Sequence, residues 1–418
     1  MNISRRDISL RIMPYAGRRP RTLFSARVLF RGLALLSIFA VMHYFRWLSQ
    51  LRLDSDDIDG AIDLLQWGQK SRVDTTSLTG KVNLSEYTRN MTNSVRDGDQ
   101  HDRGNHGHRE SSQIVNKKGN LPSAKFLLKA KPPFEDSEII QLYPSDSGTK
   151  PLVKSPNTVV TSYFRVSSKY HAEKYDGWMR NMLSLQDAMV IFTEPDLVNQ
   201  ISDLRSHAVN RTIIVPIRLD DLPIGRLFPN NFWQSQLDRD PEKRIHRSYQ
   251  LFWIWLSKSW CLAQAIRMNV YDSDIFVWSD IGCFRQRTYN SKTLVVHRET
   301  VPRHEILQMA HHQPNPPNED LFNDKYRHKS NFYHSGSQFV GYKDTMMTFH
   351  EYFLETIDRF LENNMIIVED QAILQSACLS HPEICAYVPF SQVKDNHYFG
   401  LRYVLHHGGD FKYWRHQL

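Results

Sequence analysis

The sequence lacks the compact motifs that identify many nucleotide-dependent and hydrolytic enzymes. It contains no G-x-x-x-x-G-K-[ST] phosphate loop, no strand-linked G-x-G-x-x-G and no G-x-S-x-G nucleophile turn. The segment "RHEILQMAHH" has no H-E-x-x-H, because His304 and His311 lie seven residues apart. P-loop, dinucleotide-binding, serine hydrolase and zincin chemistry are therefore not predicted.

Cysteine is also scarce, with four residues in a chain of 418. No pair has the C-x-x-C spacing of a structural zinc site. An even number permits disulfide bonds in an oxidising compartment, and Cys378 and Cys385 are the closest pair in sequence. The alternative is that these two, with Cys261 and Cys283, are four buried thiols.

Positive charge is concentrated at the N-terminus rather than spread along an aromatic face, so nucleic-acid binding is not predicted. The net charge is +7, and the first 31 residues hold eight arginines and one acid. An apolar run, "GLALLSIFAVMHYF", follows. We predict a cytosolic basic tail over 1–27 and a transmembrane signal-anchor over 28–48, whose Arg31 reaches the interface. An organelle transit peptide is the alternative.

Residues 49–155 have little apolar content and no periodicity, as "SVRDGDQHDRGNHGHRESSQ" illustrates. Such a composition cannot bury enough surface to offset its conformational entropy, so it predicts a disordered stem. Candidate N-glycosylation sequons begin at Asn83 and Asn90 in this stem and at Asn210 further on. They are meaningful only on the lumenal side of a membrane.

The remaining residues, 156–418, predict one α/β domain. Short apolar strands alternate with segments of helical spacing, which favours a mostly parallel sheet with helices on both faces. The predicted strands cover 157–164, 188–195, 211–219 and 274–280. The predicted helices cover 174–185, 196–207 and 248–269.

Three aspartates surround the fourth predicted strand, in "NVYDSDIFVWSDIGCFR". Asp272 and Asp274 precede the strand, whereas Asp280 follows it. Ligands of open α/β sheets bind outside the carboxyl ends of the strands, so Asp280 is the functional candidate. Asp272 and Asp274 are expected to form the turn before the strand, where aspartate makes local hydrogen bonds. Gly282 would allow a ligand to approach the backbone closely.

Several segments together carry a family resemblance. They are "TVVTSYF", "WMRNML", "MVIFTE", "FVWSDIGCFR", "HSGSQFVGY" and "VEDQAILQSACLSHPEICAYV", in this order. The chain resembles the HtrL/YibB-like family, a glycosyltransferase-type group, over about 157–405. More loosely, it resembles the GT-A nucleotide-sugar transferase fold. The resemblance implies a GT-A-like central sheet, a nucleotide-sugar donor and a glycan or glycoprotein acceptor.

The GT-A plan also implies a divalent cation, Mn²⁺ or Mg²⁺, on the donor diphosphate. Asp280 matches the acid of its metal motif, and His406 and His407 match a C-terminal histidine that can reach the metal. Trp278 replaces the first acid of the D-x-D motif, which puts the metal requirement in question. Carboxylate, phosphate and water oxygens are suitable ligands for these hard cations. The two histidines are alternatively ordinary residues of a turn.

The resemblance further implies an acid at a helix start beneath the acceptor. Glu369 and Asp370 precede the helical segment "QAILQSACL". Asp370 is the predicted general base of an inverting transferase, with Glu369 as its substitute. The alternative is that both acids only stabilise the first turn of the helix.

Substrate-binding residues are expected at the strand ends. The expected donor-binding residues are Ser162, Tyr163, Thr193, Glu194 and Lys258. The expected acceptor-binding residues are His334, Ser335 and Gln338. These side chains are alternatively surface or core residues, and 331–342 is alternatively a hairpin edge.

These observations predict a single-pass type II membrane protein of the Golgi or endoplasmic reticulum. Its lumenal domain would transfer a sugar from a nucleotide donor to a glycan or glycoprotein hydroxyl. One alternative is a lumenal protein that binds glycans or nucleotide sugars without catalysis. Another is an enzyme that transfers phosphate with the same acids.

Overall fold

The computed structural model describes residues 121–135, 138–142, 153–167, 170–313, 334–396 and 398–415. All of them lie in one unit, His108–Leu418. The predicted basic tail, transmembrane segment and sequons at Asn83 and Asn90 lie outside the described residues. No helix in the described ranges is both long and apolar enough to cross a membrane.

One mixed sheet forms the centre of the described structure. Its strands are β1 (Ile140–Gln141), β2 (Asn157–Tyr163), β3 (Ala188–Thr193), β4 (Thr212–Pro216), β5 (Ile275–Ser279), β6 (Ile306–Ala310), β7 (His334–Tyr342) and β8 (Cys385–Pro389). Their order across the sheet is β1-β4-β3-β2-β5-β7-β6-β8. Strands β4, β3, β2 and β5 are parallel, whereas β7 is antiparallel to both β5 and β6. The sheet is therefore less parallel than the sequence predicts.

Helices cover both faces of this sheet. They are α1 (Ala172–Leu183), α2 (Val198–Leu204), α3 (Pro223–Leu227), α4 (Asn230–Arg239), α5 (Lys243–His246), α6 (Gln250–Leu256), α7 (Lys258–Met268), α8 (Lys343–Glu362), α9 (Asp370–Ser380) and α10 (Leu401–His407). Alternate strand residues enter two separate cores. Val160 and Phe276 pack with α7, α8 and α9, while Val159 and Val277 pack with α1, α2 and α10. This arrangement explains why the central strands read as continuous apolar runs.

The predicted strands over 157–164, 188–195, 211–219 and 274–280 correspond to β2, β3, β4 and β5. The helix predicted over 248–269 is interrupted at Ser257, which separates α6 from α7. The interruption makes Lys258 the first residue of α7. The alternative of a hairpin edge at 331–342 is wrong for β7, because this strand lies between β5 and β6.

Part of the predicted stem packs against the domain. Ala124, Leu127 and Phe134 are buried in the core, and the 3-10 turn Ala124–Leu128 follows a contact of Ser123 with Asp358 of α8. Strand β1 pairs with the edge strand β4. The boundary predicted at 156 is therefore too late. The buried apolar side chains of Ala124, Leu127 and Phe134 help to hold this segment against the domain.

The cysteines divide into two kinds. Cys378 of α9 and Cys385 of β8 form a disulfide bond, as their sequence proximity indicated. Cys261 and Cys283 are buried free thiols, and burial raises the pKa of the Cys283 thiol to about 12. The disulfide links the helix that begins at Asp370 to the sheet.

The chain order creates a crevice at one place in the sheet. From β2 the chain moves outward through β3 and β4, and it then returns to the other side of β2 to form β5. Neighbouring loops therefore leave the carboxyl ends of β2 and β5 in opposite directions. Such a switch point is where open α/β sheets bind ligands.

Candidate functional site

A cavity of about 360 Å³ lies at the carboxyl ends of β2 and β5. This volume is within the usual range for small-molecule sites, roughly 300–1,000 Å³. Its walls come from the end of β2, the start of α1, the junction of α6 and α7, and the turn after β5. The lining residues are Ser162, Tyr163, Phe164, Arg165, Val166, Tyr170, Ala172, Tyr175, Trp178, Leu251, Ile254, Trp255, Lys258, Asp280, Ile281, Gly282, Arg285 and Phe399.

One wall of the cavity is aromatic. The rings of Tyr170 and Tyr175 lie 5.1 Å and 5.2 Å from the ring of Trp178, both in edge-to-face geometry. The Arg285 guanidinium lies 4.5 Å from the Trp178 ring and 4.9 Å from the Phe399 ring. Flat aromatic surfaces beside a guanidinium can stack on a planar ring and attract an anionic group.

The opposite wall contains a buried ion cluster. The Lys258 ammonium lies 2.9 Å from Asp280 Oδ1, 2.6 Å from Asp370 Oδ2 and 3.1 Å from the Gly336 carbonyl oxygen. Three chain segments meet here, because Lys258 begins α7, Asp370 begins α9 and Asp280 follows β5. We call Lys258, Asp280 and Asp370 the lysine cluster.

Trp278 holds one carboxylate of the lysine cluster in place. Its indole Nε1 donates a hydrogen bond of 2.8 Å to Asp280 Oδ1. The indole ring is buried and stacks on Phe339. The backbone N–H of Asp280 also donates to the Ser337 carbonyl oxygen at 2.9 Å. The residue that replaces the first acid of D-x-D is therefore a core residue that orients the second acid.

Charge and burial act in opposite directions within the lysine cluster. Burial alone would lower the pKa of Lys258, but the nearby charges of Asp280 and Asp370 raise it overall. Burial raises the pKa of Asp370, the Lys258 charge opposes this shift, and the Asp280 charge adds to it. The side chains of Lys258 and Asp370 are 4% and 9% exposed, whereas that of Asp280 is 33% exposed. Asp280 is thus the acid that a ligand can reach.

The structure places the predicted donor-binding residues in two groups. Ser162, Tyr163 and Lys258 line the cavity, and the Tyr163 hydroxyl donates to Asp176. Thr193 and Glu194 do not line it.

Thr193 and Glu194 have local roles at the end of β3, one strand away from the switch point. The buried Thr193 hydroxyl donates to the Tyr163 carbonyl oxygen. A Glu194 carboxylate oxygen accepts the Leu219 N–H at 2.9 Å. The structure therefore does not support the prediction that these two residues contact the donor.

The predicted acceptor residues His334, Ser335 and Gln338 are all buried and do not line the cavity. The ring nitrogens of His334 contact Gln308 Oε1 at 2.7 Å and the Gln371 carbonyl oxygen at 3.1 Å.

Ser335 and Gln338 likewise contact the protein. Ser335 bonds to the Tyr398 carbonyl oxygen, and Gln338 donates to the Ser279 hydroxyl. All three side chains are therefore buried and hydrogen-bonded within the protein, which gives them a packing role, and their contact with an acceptor stays a prediction.

The predicted metal ligands do not converge. His406 Nδ1 contacts the Thr293 carbonyl oxygen at 2.7 Å, and the His407 ring stacks on Tyr403. Both histidines lie in the last turn of α10. They do not form a metal-ligating group with Asp280 in the part of the chain that the structure describes.

The three residues that do come together are Asp240, His246 and Glu369, whose ligand atoms all lie within 4.8 Å of one another. We call them the histidine cluster. His246 Nδ1 lies 2.5 Å from Asp240 Oδ2, and both side chains are buried. Burial alone would lower the pKa of His246, but Asp240, Glu369 and Glu242 raise it overall. The neutral imidazole and the carboxylates could hold a divalent cation.

Comparison with known proteins gives the family. A family model described as "Bacterial protein of unknown function (HtrL_YibB)" matches residues 155–394, more than half of the chain. The chain belongs to the HtrL_YibB family. Protein HtrL of Escherichia coli (strain K12) is 24% identical over 152 residues, which are 31% of this chain and 52% of HtrL. The chain thus spans about half the length of this curated relative.

A solved structure is also similar to this HtrL_YibB chain. It is the apo form of mouse xyloside xylosyltransferase 1, with a TM-score of 0.33 and 12% sequence identity. The match covers 54% of this chain and 83% of the mouse chain.

The sequence analysis did not predict several residues that line the cavity, above all Arg165, Trp255 and Arg285. Arg285 follows Asp280 within the segment "SDIGCFR", so its proximity to the site was available from spacing. Trp178 lies within the helix predicted over 174–185. No local signal distinguishes it from a core residue, because its role depends on where α1 packs.

Proposed function

We propose that this protein is a glycosyltransferase that uses a nucleotide-sugar donor and a glycan or glycoprotein acceptor. The observation that carries the proposal is the cavity at the switch point between β2 and β5. Its lining combines an aromatic wall, three cationic side chains and Asp280. This combination fits a ligand that joins a planar base, a diphosphate and a sugar.

The aromatic wall is proposed to bind the base, because Tyr170, Tyr175 and Trp178 form a group of rings in edge-to-face contact beside the cavity. Arg285 and Lys258 would face the diphosphate. Arginine is well suited to phosphate because its planar guanidinium can donate two parallel hydrogen bonds. Arg165 adds a third positive charge at the end of β2.

In the proposed reaction, the bond between the anomeric carbon and the diphosphate oxygen breaks. The acceptor oxygen bonds to the anomeric carbon, the nucleoside diphosphate leaves with the electron pair, and water takes up the proton that the acceptor hydroxyl releases. Asp280 is the acid on the cavity wall among the described residues, so we assign it the orientation of the sugar or acceptor hydroxyl. Asp370, expected to be the base, instead contacts Lys258 and is proposed to position it.

A lumenal, single-pass type II membrane arrangement is proposed for the same protein. The disulfide between Cys378 and Cys385 supports an oxidising compartment, since such bonds are rare in reducing ones. The basic tail and apolar run of the N-terminus support a signal-anchor. Glycosidase-sensitive mass on the expressed full chain, lost when Asn83, Asn90 and Asn210 are all replaced by Gln, would test the lumenal side. An unglycosylated chain whose domain is cut by protease added on the cytosolic side would contradict it.

The second candidate is a non-catalytic protein that binds nucleotide sugars. It is favoured by the engagement of the accessible acid, Asp280, with both Lys258 and Trp278. Turnover separates the two candidates, because only the transferase converts the donor to free nucleoside diphosphate and a glycosylated product. Phosphate transfer would give a phosphorylated product instead.

The test is a thermal unfolding series on the detergent-solubilised full chain with UDP-sugars and GDP-sugars. A ligand at 100 times its dissociation constant should stabilise the protein by about 2.7 kcal/mol. We expect stabilisation by one nucleotide class, with loss of the effect in Arg285→Ala. The matched control is Arg287→Ala, whose exposed side chain lies outside the cavity. Absence of stabilisation by every donor, in a protein that unfolds cooperatively, would contradict the proposal.

A further inference from the structure

We propose that the ammonium group of Lys258 supplies the fixed positive charge at Asp280 and Asp370, in place of the divalent cation expected there. The donor diphosphate would then bind at this wall without a metal ion. This inference rests on the proposed function and specifies how its donor site works.

The surroundings of the Lys258 nitrogen are those of a bound cation. Oxygens of Asp280, Asp370 and Gly336 lie between 2.6 and 3.1 Å away. The ammonium group donates hydrogen bonds to Asp280 Oδ2 and to the Gly336 carbonyl oxygen, and Asp370 Oδ2 lies at ion-pair distance. The position between the two acids is therefore already filled by a positive charge that belongs to the chain.

The carboxylate of Asp280 has little remaining capacity for a metal. Its Oδ1 accepts the Trp278 indole N–H at 2.8 Å, and its Oδ2 lies 3.0 Å from Lys258 Nζ. A divalent cation would have to approach these oxygens to about 2.0–2.6 Å. The cation would then share the two Asp280 carboxylate oxygens with the Lys258 ammonium. The two positive charges would repel each other strongly in this partly buried site. These residues do not fit the expected metal.

The backbone at Gly336 lies close enough to α9 for its carbonyl oxygen to join the lysine cluster. At Gly336, a Cβ would lie 2.7 Å from Gln371 Cγ and 3.0 Å from Asp370 Oδ2. Glycine thus lets β7 pass close to the start of α9, which brings the Gly336 carbonyl oxygen within reach of Lys258. The ammonium position is fixed by α7, α9, β5 and β7 together.

The histidine cluster provides a built-in comparison for the test. Its residue Glu369 is the neighbour of Asp370 in sequence, yet its group is separate from the lysine cluster. A cation bound by the chain at Asp240, His246 and Glu369 would not require Asp280. Binding of Mn²⁺ must therefore be assigned to one cluster or the other by substitution.

The first experiment measures binding of Mn²⁺ alone to the full chain by electron paramagnetic resonance, comparing wild type with Asp280→Asn. The asparagine keeps the size of the side chain and an oxygen acceptor but removes the charge. We expect the Mn²⁺ stoichiometry to be equal and the dissociation constants to agree within twofold. Loss of an Mn²⁺ site in Asp280→Asn would overturn the proposal.

The second experiment measures binding of UDP and GDP to the same protein in EDTA and in Mn²⁺. We expect the affinity for the preferred nucleotide to change less than twofold. In Lys258→Met, we expect at least a tenfold loss of affinity in EDTA and the gain of one Mn²⁺ site. A tenfold loss on adding EDTA to the wild type would overturn the proposal, whether or not Lys258→Met folds.

The Mn²⁺-binding and nucleotide-binding experiments together distinguish failure of this inference from failure of the proposed function. If neither nucleotide binds under any condition, the proposed donor site fails, and the Mn²⁺ comparison still decides which cation belongs at Asp280. If a nucleotide binds only with a metal that needs Asp280, the transferase proposal stands and the role given to Lys258 is wrong.

Discussion

The lysine cluster and the histidine cluster are neighbours, and each balances the negative charge of two carboxylates with a different cationic side chain. Each brings two carboxylates together beside a cationic side chain, and Glu369 and Asp370 connect them along the chain. In the lysine cluster, the cationic side chain is Lys258, whose protonated form is stabilised by Asp280 and Asp370. In the histidine cluster, the cationic side chain is His246, whose imidazole can lose its proton and then bind a metal.

This difference separates a permanent charge from a conditional one. The pKa of Lys258 lies above its ordinary value, so its ammonium stays charged at any physiological pH. Burial lowers the pKa of His246, but Asp240, Glu369 and Glu242 raise it above the ordinary value of 6.5, and an imidazole, unlike the Lys258 ammonium, binds metals in its neutral form. A metal can therefore compete for the histidine cluster under conditions in which the lysine cluster excludes it.

Removing the permanent charge should have the largest effect on stability. Lys258→Met leaves Asp280 and Asp370 facing each other without a counterion, and loss of one partner from a buried ion pair costs about 3–5 kcal/mol. Urea unfolding of the full chain measures the difference. The control is Lys343→Met, because Lys343 is 40% exposed and lies 3.8 Å from Asp274. We expect the control to cost about 1 kcal/mol or less.

A loss below about 1 kcal/mol in Lys258→Met would contradict the view that this ammonium is a required counterion. Adding Mn²⁺ to the variant sharpens the comparison. A metal that replaces the lost charge should stabilise Lys258→Met more than it stabilises Lys343→Met, in which only the histidine cluster is available to it.

The sequence was sufficient to identify some parts of this region and insufficient for others. Asp280 could be selected over Asp272 and Asp274 because strand direction alone decides which end of β5 meets the crevice. The structure agrees with that choice, since Asp272 and Asp274 are exposed and pair with surface cations. The existence of strands β2 to β5 and their parallel arrangement followed from the alternation of strands and helices, whereas their order across the sheet is a finding of the structure.

The remaining site residues depend on features that one sequence does not contain. The prediction for His334 assumed an accessible strand, whereas β7 is internal. The prediction for His406 assumed that the C-terminal helix reaches Asp280, but its histidines contact Thr293 and Tyr403. Lys258 was placed on the correct helix, yet its contact with Asp370 joins residues more than a hundred positions apart. Such contacts follow from topology rather than from local pattern.

A smaller effect is expected from the indole that orients Asp280. Trp278→Phe retains most of the buried ring but removes the N–H that donates to Asp280 Oδ1. Hydrogen bonds to charged groups contribute about 1.5–3 kcal/mol, so the free energy of unfolding should fall by about this amount. The same variant should free one carboxylate oxygen and weaken the preference of this site for the ammonium over Mn²⁺.

The matched control for that substitution is Trp253→Phe, in which the indole N–H of a core tryptophan makes no hydrogen bond within the described residues. Its removal should cost less than that of the Trp278 N–H. Equal losses in the two variants would show that the effect comes from packing, and not from the bond to Asp280.

The smallest effect should come from pH and should be confined to the histidine cluster. Because the folded-state pKa of His246 is raised, its contribution to stability is complete below the ordinary pKa of 6.5 and is lost as pH rises through the folded-state value. The free energy of unfolding should therefore decrease over this range, by at most about 1.4 kcal/mol per pH unit for one proton. His246→Gln should remove this slope, whereas Asp280→Asn should leave it unchanged. Affinity for Mn²⁺ should rise over the same pH range in the wild type and disappear in Glu369→Gln. A slope that persists in His246→Gln would assign the titration to another group and remove the distinction between a permanent and a conditional charge.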